Sequence, residues 1–367
     1  MSIAFDQYQR YKNVQLVIDE LREPGQRFRI LEVGANEHKN LEKFLSQDEI
    51  YYLDVRLPEN LLNDPCYFLG DATAMNFRDS EFDVIVAVDV YEHISPEKRE
   101  SFLSELYRVS KKFFVICAPF YSPEVVDAEI RANLVYKSVY GEDYIWLKEH
   151  QGNGLPNFKE VKEFLLNRNI SFFSFSHGDI NIWEKMMNAH FLSVRDASLV
   201  HYCNTLDKYY EKHIFACDYV EYAYRKFIVG FKVQNEKNIM FSKKESISIE
   251  TIQQLDFLLE NFNTLFANKN NDRLLTMINE MKNGKHNQLQ VFYDYGDGFS
   301  EENSIKISYE GLSFSTFVAI PEKAIAIRID PTENMFCVVT DFKAETEYGE
   351  CSIQVKDAEK IGNVYSF

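Results

Sequence analysis

Between residues 28 and 118, short and almost uninterrupted apolar runs alternate with stretches of helical periodicity, a pattern that few folds accept. The runs FRILEV (28–33), IYYLDV (50–55), CYFLG (66–70), FDVIVAV (82–88) and FFVICA (113–118) read as strands. A strand that is apolar at successive positions has both faces covered, which is the mark of a parallel sheet held between helices. The helix between the last two runs is the plainest. In SPEKRESFLSELYRVSKK, Ser95 is a good N-cap and Pro96 fits the first helical position. Phe102, Leu103, Leu106, Tyr107 and Val109 then form one apolar stripe.

Residues 121–156 show no clean period and are rich in aromatics, among them Tyr136, Tyr140, Tyr144 and Trp146. A helix near 157–168 leads into ISFFSF (170–175), helical material fills 180–223, and KFIVGFKV (226–233) follows. Residues 1–233 thus read as one α/β domain with five parallel strands and two more. Residues 234–285 read as a helical connector. Within it, Ile252, Leu255, Leu259, Phe262 and Phe266 repeat at coiled-coil-like spacing, too briefly to separate a helix docked on its own chain from a dimer seam. NKNND (268–272) is expected to break that helix. Residues 286–367 read as a small all-β, sandwich-like module, with strands in LQVFYDY, SIKISY, LSFSTFVAI, AIAIRID and MFCVVTDF and a turn at Asp297-Gly298.

Bulk properties exclude several classes. The formal net charge of −17 disfavours nucleic acid, which rewards a basic face. Nothing approaches the length of a transmembrane span, and the polar N-terminus lacks a signal peptide's apolar core, so a cytoplasmic protein is expected. The six cysteines show no CxxC spacing and sit in apolar surroundings, as reduced core thiols do.

The residues at the strand ends carry the chemistry. In open α/β sheets ligands bind outside the carboxyl ends of the strands. ILEVGAN (30–36) puts Glu32, Gly34, Ala35 and Asn36 at the first such end, and Gly34 lets a ligand approach the backbone where a Cβ would collide. Asp54 ends the second strand, where a carboxylate can accept two hydrogen bonds from a ribose diol. Asp71 and Ala72 follow the third, and Asp89-Val90-Tyr91-Glu92-His93-Ile94 follows the fourth.

These stretches, ILEVGAN, YLDV and GDATAMNFRDSEFDVIVAVDVYEHI, resemble the class I S-adenosylmethionine (SAM)-dependent methyltransferases of the type 11 kind over residues 28–120. The resemblance implies a Rossmann-like, seven-stranded, mostly parallel sheet and SAM as cofactor. It implies that Glu32, Gly34, Ala35 and Asn36 line the methionine end, that Asp54 holds the ribose, and that Asp71 and Ala72 contact the adenine. Asp89 and Val90 would lie beside the methionine and sulfonium. Asn36 and His38 stand where the family usually has glycines, a departure that fits either a tighter loop or weakened binding. A dehydrogenase would want the GxGxxG phosphate cradle, and GANEHKN has one glycine.

A hydroxyl acceptor calls for a general base, and His93 and His150 are the candidates, each with a packing or substrate-binding role as its alternative. Tyr144 and Trp146 can offer flat faces to a sugar, or belong to an aromatic core. Glu149 can pair with His150 if the backbone turns both toward one pocket. The segments VFYDYGDGFSEENSIKI and IAIRIDP resemble a β-module that accompanies bacterial O-antigen-type polysaccharide methyltransferases and glycosyltransferases. That implies O-methylation of a glycan or lipid-linked saccharide. The alternatives are a non-sugar small-molecule acceptor, or a SAM-fold scaffold that organises glycosyltransferases. A second copy of the chain or a glycosyltransferase is the expected protein partner. No His/Asp cluster has diagnostic spacing, so no metal site is expected, and the acidic loop around Asp294 does not match a calcium loop.

Overall fold

The apolar runs become neighbouring strands because every second residue of each faces the same layer of helices. The computed structural model describes residues 3–34, 38–233, 246–282, 288–309 and 315–330, then 338–340, 345–346, 349–350, 359–361 and 364–366. It divides into two compact units, Met1–Phe266 and Ala267–Phe367.

In chain order the first unit contains α1 (Phe5–Leu21), β1 (Arg29–Val33), α2 (Asn40–Phe44), β2 (Glu49–Asp54), β3 (Tyr67–Leu69) and β4 (Phe82–Val88). Next come α3 (Arg99–Val109), β5 (Ser110–Pro119), α4 (Pro123–Tyr140), α5 (Ile145–Asn153) and α6 (Phe158–Asn167). They are followed by β6 (Phe172–Asp179), α7 (Ile180–Ser193), α8 (Ala197–Tyr209) and β7 (Ala223–Phe231). The seven strands form one sheet in the order β3-β2-β1-β4-β5-β7-β6, with β7 antiparallel to both neighbours. This is the expected seven-stranded, mostly parallel, Rossmann-like sheet.

Burial on both faces explains the unbroken apolar runs. Ile30, Val84, Val115 and Val229 point into one cluster with Val14 and Ile18 of α1. Their chain neighbours Leu31, Ile85, Phe114 and Ile228 point into the other with Phe102 and Leu106 of α3. Each such side chain contributes roughly 1.5–3 kcal/mol by leaving water. Gly230 is part of that packing, because a Cβ there would lie 2.3 Å from Cζ of Phe114, its cross-strand partner.

A third cluster gathers Val125, Trp183, Met186, Leu206 and Phe5 among the later helices. The long helix α9 (Ile249–Lys282) joins it through Leu255, Leu259 and Phe262, all buried, with Ile252 and Phe266 packed alongside. The coiled-coil-like seam up to Phe266 is thus docked on its own chain. The helix does not break at NKNND but continues to Lys282. Asn, Lys and Asp each cost only tenths of a kcal/mol in a helix, far less than Gly or Pro.

Residues 121–156, aperiodic in sequence, hold α4 and α5. The buried face of α4 is Val125, Ala128, Glu129, Ala132 and Asn133, regular helical spacing with two polar members. Asn133 accepts from the Tyr144 backbone N–H at 2.7 Å and donates to Asp143 at 3.0 Å, so its burial is satisfied.

In the second unit β8 (Gln288–Asp294) lies between β10 (Ala326–Asp330) and β9 (Ser304–Ser308) in an antiparallel sheet. After it come β11 (Val338–Thr340), β12 (Glu345–Thr346), β13 (Gly349–Glu350), β14 (Glu359–Ile361) and β15 (Val364–Ser366). They form a three-stranded sheet, β11-β15-β14, and the pair β12-β13. Asp294 accepts from the backbone N–H groups of Gly296 and Gly298, a carboxylate closing its own turn. Residues 315–320 of the expected strand LSFSTFVAI form no strand, and Phe317 is wholly exposed there. Among the described residues the cysteines are free thiols; Cys337 and Cys351 lie outside them.

Candidate functional site

The carboxyl ends of β3, β2, β1 and β4 bring the sequence candidates onto one rim. Glu32, in β1, is 1% exposed. The Tyr11 hydroxyl of α1 donates to its Oε1 at 2.7 Å, while Oε2 has no hydrogen-bond partner. Burial pushes the carboxyl up to about 7, against the opposing pull of the Tyr11 hydrogen bond. Gly34 has φ +73°, and a Cβ on it would lie 2.4 Å from Cγ2 of Val90. Gly34 is therefore required twice, by its left-handed backbone and by the valine across from it. Its N–H donates to the Leu53 carbonyl at 2.8 Å. Ala35 and Asn36 lie outside the described residues.

Asp54 ends β2 and accepts from the Arg56 N–H at 3.0 Å. Asp71, just beyond β3, accepts from the backbone N–H and hydroxyl of Thr73 at 2.8 and 2.7 Å. Those two bonds hold its carboxyl below the usual range, with Lys98 adding to them. Ala72 beside it is buried.

Asp89 follows β4 with φ +49°, a strained value for a non-glycine residue. Its carboxylate is clasped by Arg225 of β7, with Nε 2.9 Å from Oδ1 and Nη2 2.6 Å from Oδ2, and by Arg10 of α1 at 2.7 Å. Burial alone would raise this carboxyl, but the two guanidinium groups override it and hold it at about 2. Asp89 lies on the rim, with its carboxylate already engaged by two arginines.

The histidines meet. His93 ends a short 3-10 turn, Tyr91–His93, after β4, and His150 lies near the end of α5. Their Nε2 atoms are 3.4 Å apart. The Nδ1 of His93 is 3.0 Å from Glu149 Oε2, and the Nδ1 of His150 is 2.9 Å from Glu129 Oε1. Glu149 thus pairs with His93 rather than with its chain neighbour His150, because successive residues on a helix point about 100° apart. The Tyr224 hydroxyl completes the Glu129 side at 2.8 Å. Burial, then the adjoining His150, lower the His93 pKa, against the pull of Glu149. Trp146 is 47% exposed, its ring 5.3 Å from that of His93. Tyr144 packs instead on Tyr136 and Phe191, and burial pushes its hydroxyl up to about 12.

Sequence reasoning missed Arg10, Tyr11, Glu129 and Arg225, and gave Glu92 no role. Glu129 carried a usable signal, since it stands on the same helical face as Val125, Ala128 and Ala132. The arginines carried none, because α1 and β7 meet β4 only in the fold.

Residues 31–115 match the family model described as "Methyltransferase domain". No curated protein matches the chain. Among solved structures, the YcgJ protein from Bacillus subtilis is similar at 14% identity and TM-score 0.37, over 61% of this chain and all (100%) of that one. A Burkholderia thailandensis 1,6-didemethyltoxoflavin-N1-methyltransferase, solved with S-adenosylhomocysteine, is 9% identical at TM-score 0.34, covering 61% of this chain and 78% of that one. Phosphoethanolamine N-methyltransferase 2 of Haemonchus contortus is 17% identical at TM-score 0.36, covering 60% and 53%. The family-model match thus marks residues 31–115, which run from within β1 through β4 into β5, as similar to a methyltransferase domain.

Proposed function

We propose that the first unit is a SAM-dependent methyltransferase whose acceptor is a saccharide hydroxyl, working in the assembly of a bacterial surface polysaccharide. The observation that carries the donor half is the row Asp71, Asp54, Glu32 and Gly34 along adjacent strand ends, with a buried, unpartnered Oε2 on Glu32. SAM bound there supplies an electrophilic methyl group on a sulfonium. Asp54 accepts from the ribose hydroxyls, Asp71 from the adenine amino group beside Ala72, and Glu32 offers Oε2 toward the methionine end. Gly34 and Val90 shape the floor.

The acceptor half rests on the paired histidines. Carboxylates hold both Nδ1 atoms, so the Nε2 atoms are left to receive a hydroxyl proton or to bind what polarises that hydroxyl. Trp146 offers the half-exposed face against which a sugar ring stacks. The C-terminal β-module then serves assembly with glycosyltransferases or with a second copy of the chain. Among the described residues no helix is long and apolar enough to cross a membrane.

Calorimetry with S-adenosylhomocysteine tests the donor half. Micromolar binding is expected, weakened roughly ten- to hundred-fold in Asp54→Ala, as loss of a charged hydrogen bond predicts. Absence of binding sinks it. Incubation with labelled SAM and saccharide intermediates tests the acceptor half, which fails if label enters only non-carbohydrate metabolites.

A further inference from the structure

We propose that Glu92, His93 and His150 form a binding site for one divalent transition-metal cation of the zinc class, with an oxygen ligand completing its coordination. The sequence hides the site, since His93 and His150 are 57 residues apart, but the fold brings one donor atom from each residue within 4.8 Å of the others.

The argument starts from the protons. Glu149 and Glu129 accept, so each imidazole carries its hydrogen on Nδ1. Both Nε2 atoms then present lone pairs to each other at 3.4 Å, an arrangement that repels unless a positive charge lies between them. An imidazolium would meet the need only by taking up a proton. A cation does so without a proton. Two nitrogens bound at ~2.1 Å in tetrahedral geometry stand ~3.4 Å apart.

Glu92 supplies the second, independent observation. It is 1% exposed, and neither carboxylate oxygen has a hydrogen-bond partner. A buried carboxylate left so is costly, and a metal ion is one of the few groups that compensates it. The outer partners also fit. Ligating histidines nearly always give their second N–H to a carboxylate, and here both do, with Tyr224 bonded in turn to Glu129. Two imidazoles and one carboxylate are the donor set of catalytic zinc sites that keep one position open. His93 is the partly exposed member, with 21% of its side-chain surface accessible, so the open position faces the Trp146 side.

Metal binding stands without the methyl-transfer reading. Only the further idea that the open position takes the acceptor hydroxyl rests on it.

The test uses untagged full-length protein, stripped with chelator and titrated with Co2+ and then Zn2+. One equivalent is expected to bind at micromolar or tighter affinity, with the visible bands of low-coordinate cobalt. His93→Ala and Glu92→Gln each weaken Zn2+ binding at least about hundredfold, and Glu149→Gln weakens it about ten- to hundred-fold. His201→Ala, an exposed histidine on α8, leaves binding unchanged. Circular dichroism checks folding, and Glu149→Gln at the partly exposed outer position carries the test if an inner variant unfolds. Lack of saturable micromolar binding, or binding that persists in the variants that fold, overturns the site. Since S-adenosylhomocysteine binding is measured separately, failure here and failure of the donor reading are distinguishable.

Discussion

Arg225 Nη2 donates to Asp89 Oδ2 at 2.6 Å while its Nε lies 2.9 Å from Oδ1, so the reversed strand β7 clasps the end of β4. The guanidinium is 4% exposed and the carboxylate 17%. Paired, two such charges roughly offset their desolvation; separated, the remaining one is costly.

Arg225→Met is therefore expected to destabilise the protein by about 3–5 kcal/mol in urea unfolding. Adding Asp89→Asn recovers part of that loss, because the buried carboxylate, left with Arg10 as its remaining guanidinium partner, is then gone. Additive losses in the double variant would show that the two groups do not act as a pair.

Gly34→Ala meets both a left-handed backbone and Val90 Cγ2. A loss of more than about 1 kcal/mol is expected from the backbone alone. Gly34→Ala with Val90→Ala relieves the contact but not the φ, so thermal melts of the double variant recover only partly. Full recovery would mean the backbone tolerates φ +73° without a glycine.

Glu32 gives a pH signature. Its carboxyl is raised to about 7 from 4.5, so its contribution is fully present below the unfolded value and is lost as pH rises through about 7. The Gln variant lacks this slope. Between pH 4.5 and 7 the stability difference, Glu32→Gln minus parent, should therefore rise by on the order of 3 kcal/mol. Urea titrations at a series of pH values measure it, and a constant difference refutes the assignment.

The strands were legible because burial on both faces writes itself as unbroken apolar runs, and the rim residues because they follow those runs directly. Two things were not. The α4 face hid because Glu129 and Asn133 interrupt its apolar period while still being buried, each satisfied by partners distant in sequence or across a loop. The histidine pair hid because Glu149 looked like His150's partner in sequence, and helical geometry sends it to His93 instead.

Glu149 also bears on turnover. It opposes the lowering of the His93 pKa by burial. In chelator-stripped protein, with His93 as the base of the proposed reaction, the rate climbs with pH through an inflection below the ordinary imidazole value of 6.5, as neutral His93 accumulates. Glu149→Gln moves that inflection to lower pH. An upward shift in the pH–rate profile contradicts the arrangement.

Phe262 of α9 is wholly buried in the first unit's helical cluster. Phe262→Ala is expected to cost about 3–5 kcal/mol with no change in molecular mass by light scattering. A parallel drop in mass would identify the seam as an interface between copies.

Because β7 runs against its neighbours, its first residues lie at the rim where the parallel strands finish. Arg225, the third residue of β7, is thereby delivered to Asp89 from a point 136 positions later in the chain. During synthesis, β1 to β5 emerge from the ribosome long before it does. Until then the Asp89 carboxylate has only Arg10 to face, and the rim stays hydrated. Completion of the Asp89 clasp thus waits for the last strand of the sheet to be made, and a chain arrested before β7 would hold the rim carboxylates yet lack Arg225.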